Sequence, residues 1–369
     1  MPLIQPELTE DIKKYGSFDF TACYNCGTCT AVCNLTEKNA NFPRKMIRYS
    51  MLGLKSEILS SKELWLCYSC GDCSTTCPRE AEPGDLMAAL RRYAIANYEK
   101  TGITKLIFKN NFNSLLVTLL LSVILGFFLF TIKPEMEVSR WIFQYMPYEI
   151  IHSLGIIAFA FMGISALVGV ILMWRNISGK ETPPSNKNIL KRFTEAFQKV
   201  LGEVATMKIY KECDADSSFW NNKPSYIKPW FIHWTIMWGF IGLLLATSLD
   251  FMFKDPSTDI WWPSRILGTI AGLLMVYGSS MAIYYRIKKI TKPYANSRLA
   301  DWMFLGFLWL AGITGFWLEI SVFLGANTLT NQVVFIIHTI ISMQLVILFA
   351  FSKFAHAFYR PLALFAHNF

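Results

Sequence analysis

Residues 67–78 read CYSCGDCSTTCP, and they repeat the cysteine spacing of residues 23–34, CYNCGTCTAVCN. In both stretches two residues separate the first three cysteines from one another, and a fourth cysteine follows after three more residues. Three thiolates at this spacing wrap one loop around a corner of a cubane cluster, and the fourth points toward a second cluster. This is the spacing of two-cluster ferredoxins, so the sequence predicts two [4Fe-4S] clusters.

The same rule assigns the fourth cysteine of each stretch to the cluster of the other stretch. The predicted ligands are Cys23, Cys26, Cys29 and Cys77 for one cluster and Cys67, Cys70, Cys73 and Cys33 for the other. Zinc also binds thiolates, but zinc ribbons use isolated Cys-x-x-Cys pairs. The ninth cysteine, Cys213, stands in the polar stretch KECDADSS, where we expect a loop and an unliganded thiol.

The segments next to the cysteine stretches have helical character. Residues 43–59, PRKMIRYSMLGLKSEIL, begin with a proline suited to the first turn of a helix, and so do residues 83–100, PGDLMAALRRYAIANYEK. No apolar stretch follows a basic start at the N-terminus, so we expect this part in the cytoplasm, where thiols stay reduced. Residues 1–110 are therefore predicted to form a cytoplasmic α-helical ferredoxin domain.

The rest of the chain has the composition of a membrane protein. The 369 residues are 53% hydrophobic and 17% charged, whereas an ordinary soluble domain has about 25% charged residues. Six weakly charged stretches of roughly membrane-spanning length follow residue 110. They are residues 113–132, 150–173, 230–249, 266–285, 302–318 (extending to about 325) and 333–352 (continuing toward 358). The predicted fold is all-α, with a six-helix membrane bundle over residues 111–369.

Basic residues are distributed unevenly between the loops. Lysine and arginine are frequent between spans two and three and between spans four and five, and rare in the opposite loops. Basic loops stay on the cytoplasmic side, so both termini are predicted to be cytoplasmic. This topology explains the net charge of +9 without nucleic acid. An amphipathic helix at residues 189–210 is predicted to lie on the inner membrane surface. Its apolar stripe consists of Ile189, Phe193, Phe197, Leu201 and Val204.

Four of the five histidines lie in or beside the predicted spans, where ionisable side chains are costly and usually functional. The span directions place His152 and His338 near the outer side and His233 and His356 near the inner side. In one continuous helix, the 18 residues from His338 to His356 make five turns and put both on one face about 27 Å apart. Each pair is predicted to bind a b-type haem, because two axial imidazoles suit electron transfer. His367 is expected in a solvated tail.

These cofactors form an electron path that needs a partner at each end. No Gly-x-Gly-x-x-Gly motif follows a predicted strand, so a soluble partner protein must supply any flavin or nucleotide. The membrane end, beside a haem, is most simply a quinone. Five polar residues near the outer side are candidates for handling quinone protons, namely Arg140, Tyr148, Glu149, Arg265 and Gln332.

The motifs CYNCGTCTAVC and CYSCGDCSTTCPREAEPGDLMAALRRYA resemble those of the C-subunits of heterodisulfide reductases, and the second half resembles the cytochrome b of respiratory nitrate reductases. The combination is similar to the membrane subunit of the quinone-interacting membrane-bound oxidoreductase complexes of sulfur-metabolising bacteria. This resemblance implies a quinone oxidoreductase subunit in the bacterial inner membrane, with menaquinone as substrate. It also implies two flavin-containing cytoplasmic partner subunits and electron exchange with adenylylsulfate reductase.

Three other functions have to be weighed against this one. The first is the membrane arm of a heterodisulfide or sulfite-pathway reductase, which has the same electron path and a different soluble partner. The second is a redox-sensing proton transporter, which predicts buried carboxylates in the spans, where only Glu319 and Asp250 are found, near the outer ends. The third is a structural membrane anchor, which leaves the paired histidines unexplained.

Overall fold

The computed structural model describes residues 3–16, 18–36, 41–131, 148–179, 189–217, 219–253 and 262–369. Within these ranges the chain is all-α, as predicted, and no strand occurs. Six of the described helices are long and apolar enough to cross a membrane. The shorter helices precede them along the chain, connect them or follow the last of them.

The N-terminal part consists of short helices around one longer helix. They are α1 (Leu8–Lys14), α2 (Thr28–Ala31), α3 (Arg44–Met51), α4 (Lys55–Leu59), α5 (Glu63–Leu66), α6 (Asp72–Thr75), α7 (Pro83–Tyr98) and α8 (Ile103–Lys109). The helix predicted at residues 83–100 is α7. The helix predicted at residues 43–59 is divided into α3 and α4, because Gly53 between them has a φ of +67° that a continuing helix does not allow.

The second part contains the membrane-capable helices and the shorter helices between and after them. They are α9 (Asn111–Thr131), α10 (Tyr148–Ser178), α11 (Ile189–Thr206), α12 (Lys208–Asp216), α13 (Pro229–Phe253), α14 (Trp262–Lys288), α15 (Lys292–Ala295), α16 (Leu299–Phe323), α17 (Leu329–Ile347) and α18 (His356–Asn368). The membrane-capable set is α9, α10, α13, α14, α16 and α17, in agreement with the six predicted spans.

The sixth membrane helix ends earlier than predicted. α17 stops at Ile347, and two short 3-10 turns within residues 349–355 separate it from α18. Between these turns Ser352 has an extended backbone, with φ −111° and ψ −172°. The prediction that His338 and His356 share one face of a continuous helix is therefore wrong, because the helix is interrupted between them. Their 18-residue spacing does not set their separation.

One hydrophobic core joins the two parts of the chain. α10 has 31 residues, or about 46 Å at 1.5 Å per residue, whereas the hydrocarbon core of a bilayer is about 30 Å thick. Its last turns are thus long enough to leave the bilayer, and Met173 and Ile177 are buried in the same core as α7. Tyr359 of α18 is buried there too, with its ring centre 5.0 Å from that of Trp65. The predicted boundary at residue 110 therefore divides a sequence whose side chains share one core.

A buried ion network also connects the two parts. Arg92 of α7 donates to one carboxylate oxygen of Asp301 on α16 across 3.0 Å, and Lys353 lies 3.3 Å from the other oxygen. The backbone N–H of Arg298 donates to the same carboxylate at 3.1 Å. Removing one partner of a buried ion pair typically costs about 3–5 kcal/mol. The network therefore fixes α16, and the turn before α18, against the N-terminal part.

The predicted amphipathic helix is α11, and it ends where Met207 adopts a left-handed backbone with φ 50°. Ala196 and Val200 on one face are buried, and Val200 belongs to the core that contains α7. The apolar stripe lies on another face and is about half exposed at Ile189, Phe193, Phe197 and Leu201. An exposed apolar stripe suits a helix lying in a membrane surface, so that prediction stands as a proposal.

The environment expected for Cys213 is wrong. Cys213 lies on α12 and is buried, not in an exposed polar loop. Tyr210 and Cys213 stand three residues apart on one helix face, and both face inward, whereas the polar residues of KECDADSS made this stretch look like a loop. Burial, together with the nearby thiols of Cys67 and Cys33, raises the pKa of Cys213 to about 12.

Candidate redox site between the two parts

The two cysteine loops have the same backbone shape. Asn25 and Ser69, each two residues after the first cysteine, have φ values of 66° and 58°, and Gly27 and Gly71 follow with 89° and 92°. Such positive φ values suit glycine and asparagine. In both loops the residue two after the first cysteine donates its N–H to that cysteine's Sγ, at 3.4 and 3.3 Å. A four-residue helix, α2 or α6, then carries the third cysteine. The repeated sequence therefore folds into two equivalent loops.

The neighbours of Cys29 are the other cysteines of the first predicted set. Burial raises the pKa of the Cys29 thiol, and the thiols of Cys23, Cys26 and Cys77 raise it further. Cys77 comes from the second loop, and α2 and α6 pack against each other, so the two loops are adjacent, as the spacing rule requires. The thiols proposed for one cluster thus influence one another electrostatically.

The second predicted set is gathered in the same way. Burial raises the pKa of Cys73 well above its ordinary value. The thiols of Cys67, Cys70 and Cys33 add to this increase, and the thiol of Cys29 adds a smaller part. Burial also raises the pKa of Cys33 to about 11. Iron binds the thiolate, so cluster assembly here must release protons from these buried thiols. We call the cluster of this second set the inner cluster and that of the first set the outer cluster.

The described residues contain no group of three or more His, Cys, Asp or Glu side chains that converge on one metal ion. A single zinc ion holds each thiolate about 2.3 Å away, which would bring the sulfurs together. The four thiolates of a [4Fe-4S] cluster bind four separate iron atoms and need no such convergence. The loops therefore fit the cluster on the chemistry and arrangement of their thiols.

A cavity of about 580 Å³ lies between the inner loop, residues 67–77, and the inner parts of the membrane-capable helices. Cys67 and Cys70 line it on one side, and His233 of α13 and His356 of α18 line it on another. Cofactor pockets typically measure about 300–1,000 Å³ and are mostly apolar. The apolar lining includes Ile236, Phe240, Phe304, Leu308, Phe349 and Phe358. Predicted cluster ligands and predicted haem ligands therefore face the same space.

His233 and His356 form the inner pair that the sequence predicts. Their ring centres are 5.8 Å apart and their planes cross at 75°. An imidazole nitrogen sits about 2.0–2.1 Å from a bound transition metal, so an ion between two rings requires ring centres roughly 6 Å apart. No hydrogen-bond partner of the buried Nδ1 of His233 occurs among the described residues. The spacing of this pair fits two axial ligands of one iron.

The Nδ1 nitrogen of His356 has a hydrogen-bond partner in the protein backbone. Its Nδ1 lies 2.6 Å from the backbone carbonyl oxygen of Lys353, which only accepts, so Nδ1 carries the proton and Nε2 has the free lone pair. Burial and the neighbouring His233 lower the pKa of His356 to about 3, which keeps the imidazole neutral. A neutral ring oriented by a carbonyl is typical of a metal-binding histidine.

The second predicted haem pair, His152 and His338, lies on two helices that pack against each other. His338 on α17 places Nδ1 2.9 Å from the hydroxyl of Thr314, which itself lies 2.6 Å from the carbonyl of Leu310 and donates to it. The hydroxyl therefore accepts from His338, whose Nε2 keeps its lone pair. His152 on α10 packs its ring against Phe251, with ring centres 3.8 Å apart. α10 and α17 pack against each other, so the outer pair lies on neighbouring helices.

The structure gives side-chain contacts for two of the five quinone candidates. Arg140 lies outside the described residues, and Tyr148 is described only as the first residue of α10. Glu149 is exposed. Arg265 lies 3.6 Å from Glu319, whereas Gln332 donates to Asn327 at 2.8 Å. Neither contact tests a quinone site, so a role in such a site stays a prediction for all five residues.

Several charged residues of the cavity were missed by the sequence reasoning. The cavity is lined by the cations Arg91, Arg92, Arg286, Lys292, Lys353 and Arg360 and by the carboxyl groups of Asp85, Glu203, Asp214 and Asp301. A sequence signal was present only for Arg286, Asp301 and Lys353, each of which stands one residue outside a predicted span. The cations outnumber the carboxyl groups in this lining, so the cavity suits an anionic ligand.

Comparison with known proteins agrees with the cysteine geometry. Residues 19–81 match the 4Fe-4S dicluster domain family. This region is a 4Fe-4S dicluster domain. The chain is 36% identical over 91 residues to the C-subunit of the H(2):CoB-CoM heterodisulfide,ferredoxin reductase of Methanothermobacter thermautotrophicus, which covers 25% of this chain and 49% of that protein.

Other relatives align with the dicluster domain in the same way. A protein of Archaeoglobus profundus that is like the heterodisulfide reductase C-subunit is 31% identical over 109 residues, which is 28% of this chain and 58% of the relative. The iron-sulfur C-subunit of the CoB--CoM heterodisulfide reductase of Methanopyrus kandleri is 40% identical over 73 residues, which is 20% of this chain and 38% of the relative. The chain spans between 38% and 58% of the length of these relatives. No solved structure matches the chain.

These findings establish a dicluster domain like that of the heterodisulfide reductase C-subunits, joined to six membrane-capable helices. The relatives are named as C-subunits of reductases, and that of Methanopyrus kandleri is named as an iron-sulfur subunit.

Proposed function

We propose that this chain carries electrons between a quinone in the membrane and soluble partners through two b-type haems and two [4Fe-4S] clusters. The soluble partners are two flavin-containing subunits of the same complex. The complex exchanges electrons with adenylylsulfate reductase, and the quinone is menaquinone of the bacterial inner membrane. The chain would then be the membrane subunit of a quinone-interacting membrane-bound oxidoreductase complex.

The cavity is the observation that carries this proposal. Cys67 and Cys70 line the same 580 Å³ space as His233 and His356. A group bound between the two histidines would lie directly beside the inner cluster, with no further domain between them. This arrangement suits electron transfer more than it suits a structural anchor, which needs no shared cavity.

The residues around the cavity fit a haem. The two imidazoles have the spacing of axial ligands, and the apolar phenylalanines suit the porphyrin faces. Haem b carries two carboxylates, and Lys353 and Arg286 line the same cavity as cations that would hold them. Bound haem would supply a one-electron iron centre. The protein's own task is to keep Nε2 of His356 unprotonated, which the carbonyl of Lys353 does through Nδ1.

An optical redox titration of the purified full-length protein tests the proposal. We expect two b-type haem signals. His356→Ala and His233→Ala should each abolish one signal, and His338→Ala and His152→Ala should abolish the other. The matched control is His367→Ala, because His367 lies on the same helix as His356 without a predicted metal role, and it should keep both signals. Absence of haem, or an unchanged spectrum in His356→Ala, would overturn the haem assignment.

The names of the relatives favour a second candidate, the membrane arm of a heterodisulfide or sulfite-pathway reductase. Both candidates use the same clusters and differ in the soluble partner. An assay on membranes that contain the intact complex distinguishes the two candidates. A menaquinol analogue first reduces the haem, and possible acceptors are then added. Reoxidation of the haem by adenylylsulfate with its reductase supports the first candidate. Reoxidation by a heterodisulfide or by sulfite, but not by adenylylsulfate, supports the second.

A further inference from the structure

Arg360 connects the helix of His356 to the loop of the inner cluster. It stands four residues after His356 on α18, about one helical turn further on. Its guanidinium donates to the carbonyl of Cys67 at 3.1 Å and to that of Leu66 at 3.0 Å. The guanidinium carbon also lies 3.5 Å from the centre of the Tyr68 ring. One side chain therefore contacts three successive residues at the start of the inner loop.

A second arginine reaches the same carbonyl from the opposite part of the chain. Arg91 of α7 also donates to the Cys67 carbonyl, and it donates to the carbonyl of Leu64 at 3.0 Å and to the hydroxyl of Ser69 at 3.3 Å. Both arginines line the cavity. Two positive charges thus contact the backbone carbonyl of one predicted cluster ligand.

The outer loop, residues 23–33, has a weaker equivalent. Arg79 donates to the carbonyl of Ala22, the residue before Cys23, at 3.4 Å. Ala22 corresponds to Leu66 in the sequence repeat, but the Arg79 contact is exposed. Exposed charges are screened by water and salt, whereas buried charges act at lower dielectric constant. The electrostatic effect of Arg360 and Arg91 on the inner cluster should therefore be much larger than that of Arg79 on the outer cluster.

We propose that Arg360, assisted by Arg91, raises the reduction potential of the inner [4Fe-4S] cluster and thereby matches it to the haem beside it. A [4Fe-4S] cluster gains one negative charge when it is reduced, and a nearby cation stabilises the reduced form more than the oxidised form. One electron passes between the haem iron and the cluster, and no bond or proton changes. The cluster part rests on the dicluster domain alone, while the haem part rests on the proposed function.

Potentiometric EPR titration of the full-length protein provides the test. Arg360→Gln should lower the midpoint of one cluster so that its reduction becomes at least tenfold less favourable, which is about 59 mV for one electron. The outer cluster should keep its midpoint. A Cys26→Ser background, which lacks a ligand of the outer cluster, identifies the shifted signal as the inner one. Arg360→Lys keeps the charge and should shift the midpoint less than Arg360→Gln does.

Two controls remove charge without touching the inner loop carbonyls. Lys62→Gln removes a cation that also joins the N-terminal part to α18, through the Ala366 carbonyl at 3.2 Å. Arg79→Gln removes the exposed equivalent. Neither should move the inner midpoint by as much. If Arg360→Gln assembles no inner cluster, Arg91→Gln should show the same downward shift.

An unchanged inner midpoint in every assembled variant would overturn the inference, as would equal shifts in the Lys62→Gln control. The cluster midpoint is measured whether or not haem is bound. A protein without haem that still shows the shift would contradict the proposed function and leave the role of Arg360 in the cluster intact. A protein with two haems and no shift would contradict only the role of Arg360.

Discussion

The two cysteine loops share a sequence pattern and a backbone, yet their surroundings are opposite. In the outer loop Cys26 is exposed and Tyr24 is 59% exposed. In the inner loop Cys67 is buried, and Tyr68 packs between Arg360 and Tyr210, with 5.0 Å between the tyrosine ring centres. Spacing therefore selects the cofactor, whereas the helices packed around each loop decide what that cofactor can reach. The outer loop faces solvent, and the inner loop faces the cavity.

Replacing one cysteine in each loop should give the largest contrast. Cys70→Ser should remove the inner cluster and block electron transfer between haem and partner. Cys26→Ser should remove or alter only the outer cluster and leave exchange between the inner cluster and haem intact. Cys26 is exposed, and the hydrogen bond with the Thr28 hydroxyl lowers its pKa. EPR of the reduced protein and optical reduction of the haem measure both effects.

The crossed ligand sets give this experiment its control. Cys77→Ser should reproduce the EPR change of Cys26→Ser, although Cys77 belongs to the inner stretch of sequence. Cys213→Ser should leave both cluster signals in place, because Cys213 is not a predicted ligand. If Cys77→Ser instead reproduced Cys70→Ser, each loop would hold its own cluster and the pairing rule would not apply.

The next largest contrast is expected between alanine variants of the two equivalent tyrosines, in the free energy of unfolding. Tyr68→Ala removes a ring packed against Tyr210 and Arg360, and its hydroxyl, which donates to Glu203. Loss of a packed aromatic ring of this kind should lower the free energy of unfolding by about 2–4 kcal/mol. Tyr24→Ala, at the same position of the exposed loop, should change it by less than about 0.5 kcal/mol. Thermal loss of the iron-sulfur absorbance in detergent measures both, and equal losses would contradict the difference in packing.

The equivalent glycines should show a smaller contrast. Both have φ near +90°, so alanine costs about 1–2 kcal/mol at either position. At Gly71 an added Cβ would lie 2.7 Å from Cδ of Pro293, whereas at Gly27 the nearest atom is the flexible Arg44 Nη1 at 3.5 Å. Gly71→Ala should therefore be worse than Gly27→Ala by about 1–3 kcal/mol in the same thermal assay. A larger loss at Gly27 would mean that the outer loop is the more tightly packed one.

Local patterns in the sequence predicted one part of this picture well. Cysteine spacing gave the two loops, proline and periodicity gave α7, and apolar stretches gave the six membrane-capable helices, because each of these depends on neighbouring residues. The interruption after α17 has no such signal. Residues 348–355 read LFAFSKFA, which contains neither glycine nor proline and looks like a continuing span.

The contacts around the cavity could not be predicted from the sequence, for a different reason. Arg92 meets Asp301 from 209 positions away, and Arg360 meets Cys67 from 293 positions away. Asp301 and Arg360 stand in no motif, and a charge beside a span is usually explained by topology alone. Four histidines at span ends predicted the inner pair that the structure brings together, but not the cations around it.

A pH experiment extends the comparison to one carboxyl group beside each loop. Asp214, buried near the inner loop, accepts the backbone N–H of Trp230 at 2.7 Å. Burial raises its pKa to about 7, from an ordinary value of 3.8. The folded chain then holds a proton that the unfolded chain releases, so this stability is lost as the pH rises from about 4 through 7. The thermal midpoint of the wild type should fall by several degrees between about pH 5 and pH 8. That of Asp214→Asn should fall less.

The Asp214→Asn variant isolates charge, because the asparagine side chain keeps an oxygen that can accept the Trp230 N–H and so preserves the start of α13, the helix of His233. The pKa of Asp19, beside the outer loop, is shifted in the opposite direction. The hydrogen bond from the Thr21 hydroxyl lowers its pKa, so its contribution is lost as the pH falls below about 4. Asp19→Asn should leave the slope between pH 5 and pH 8 unchanged. Equal slopes for the wild type and Asp214→Asn would mean that water reaches the inner loop as freely as the outer one, and the contrast between the two loops would then lie in packing alone.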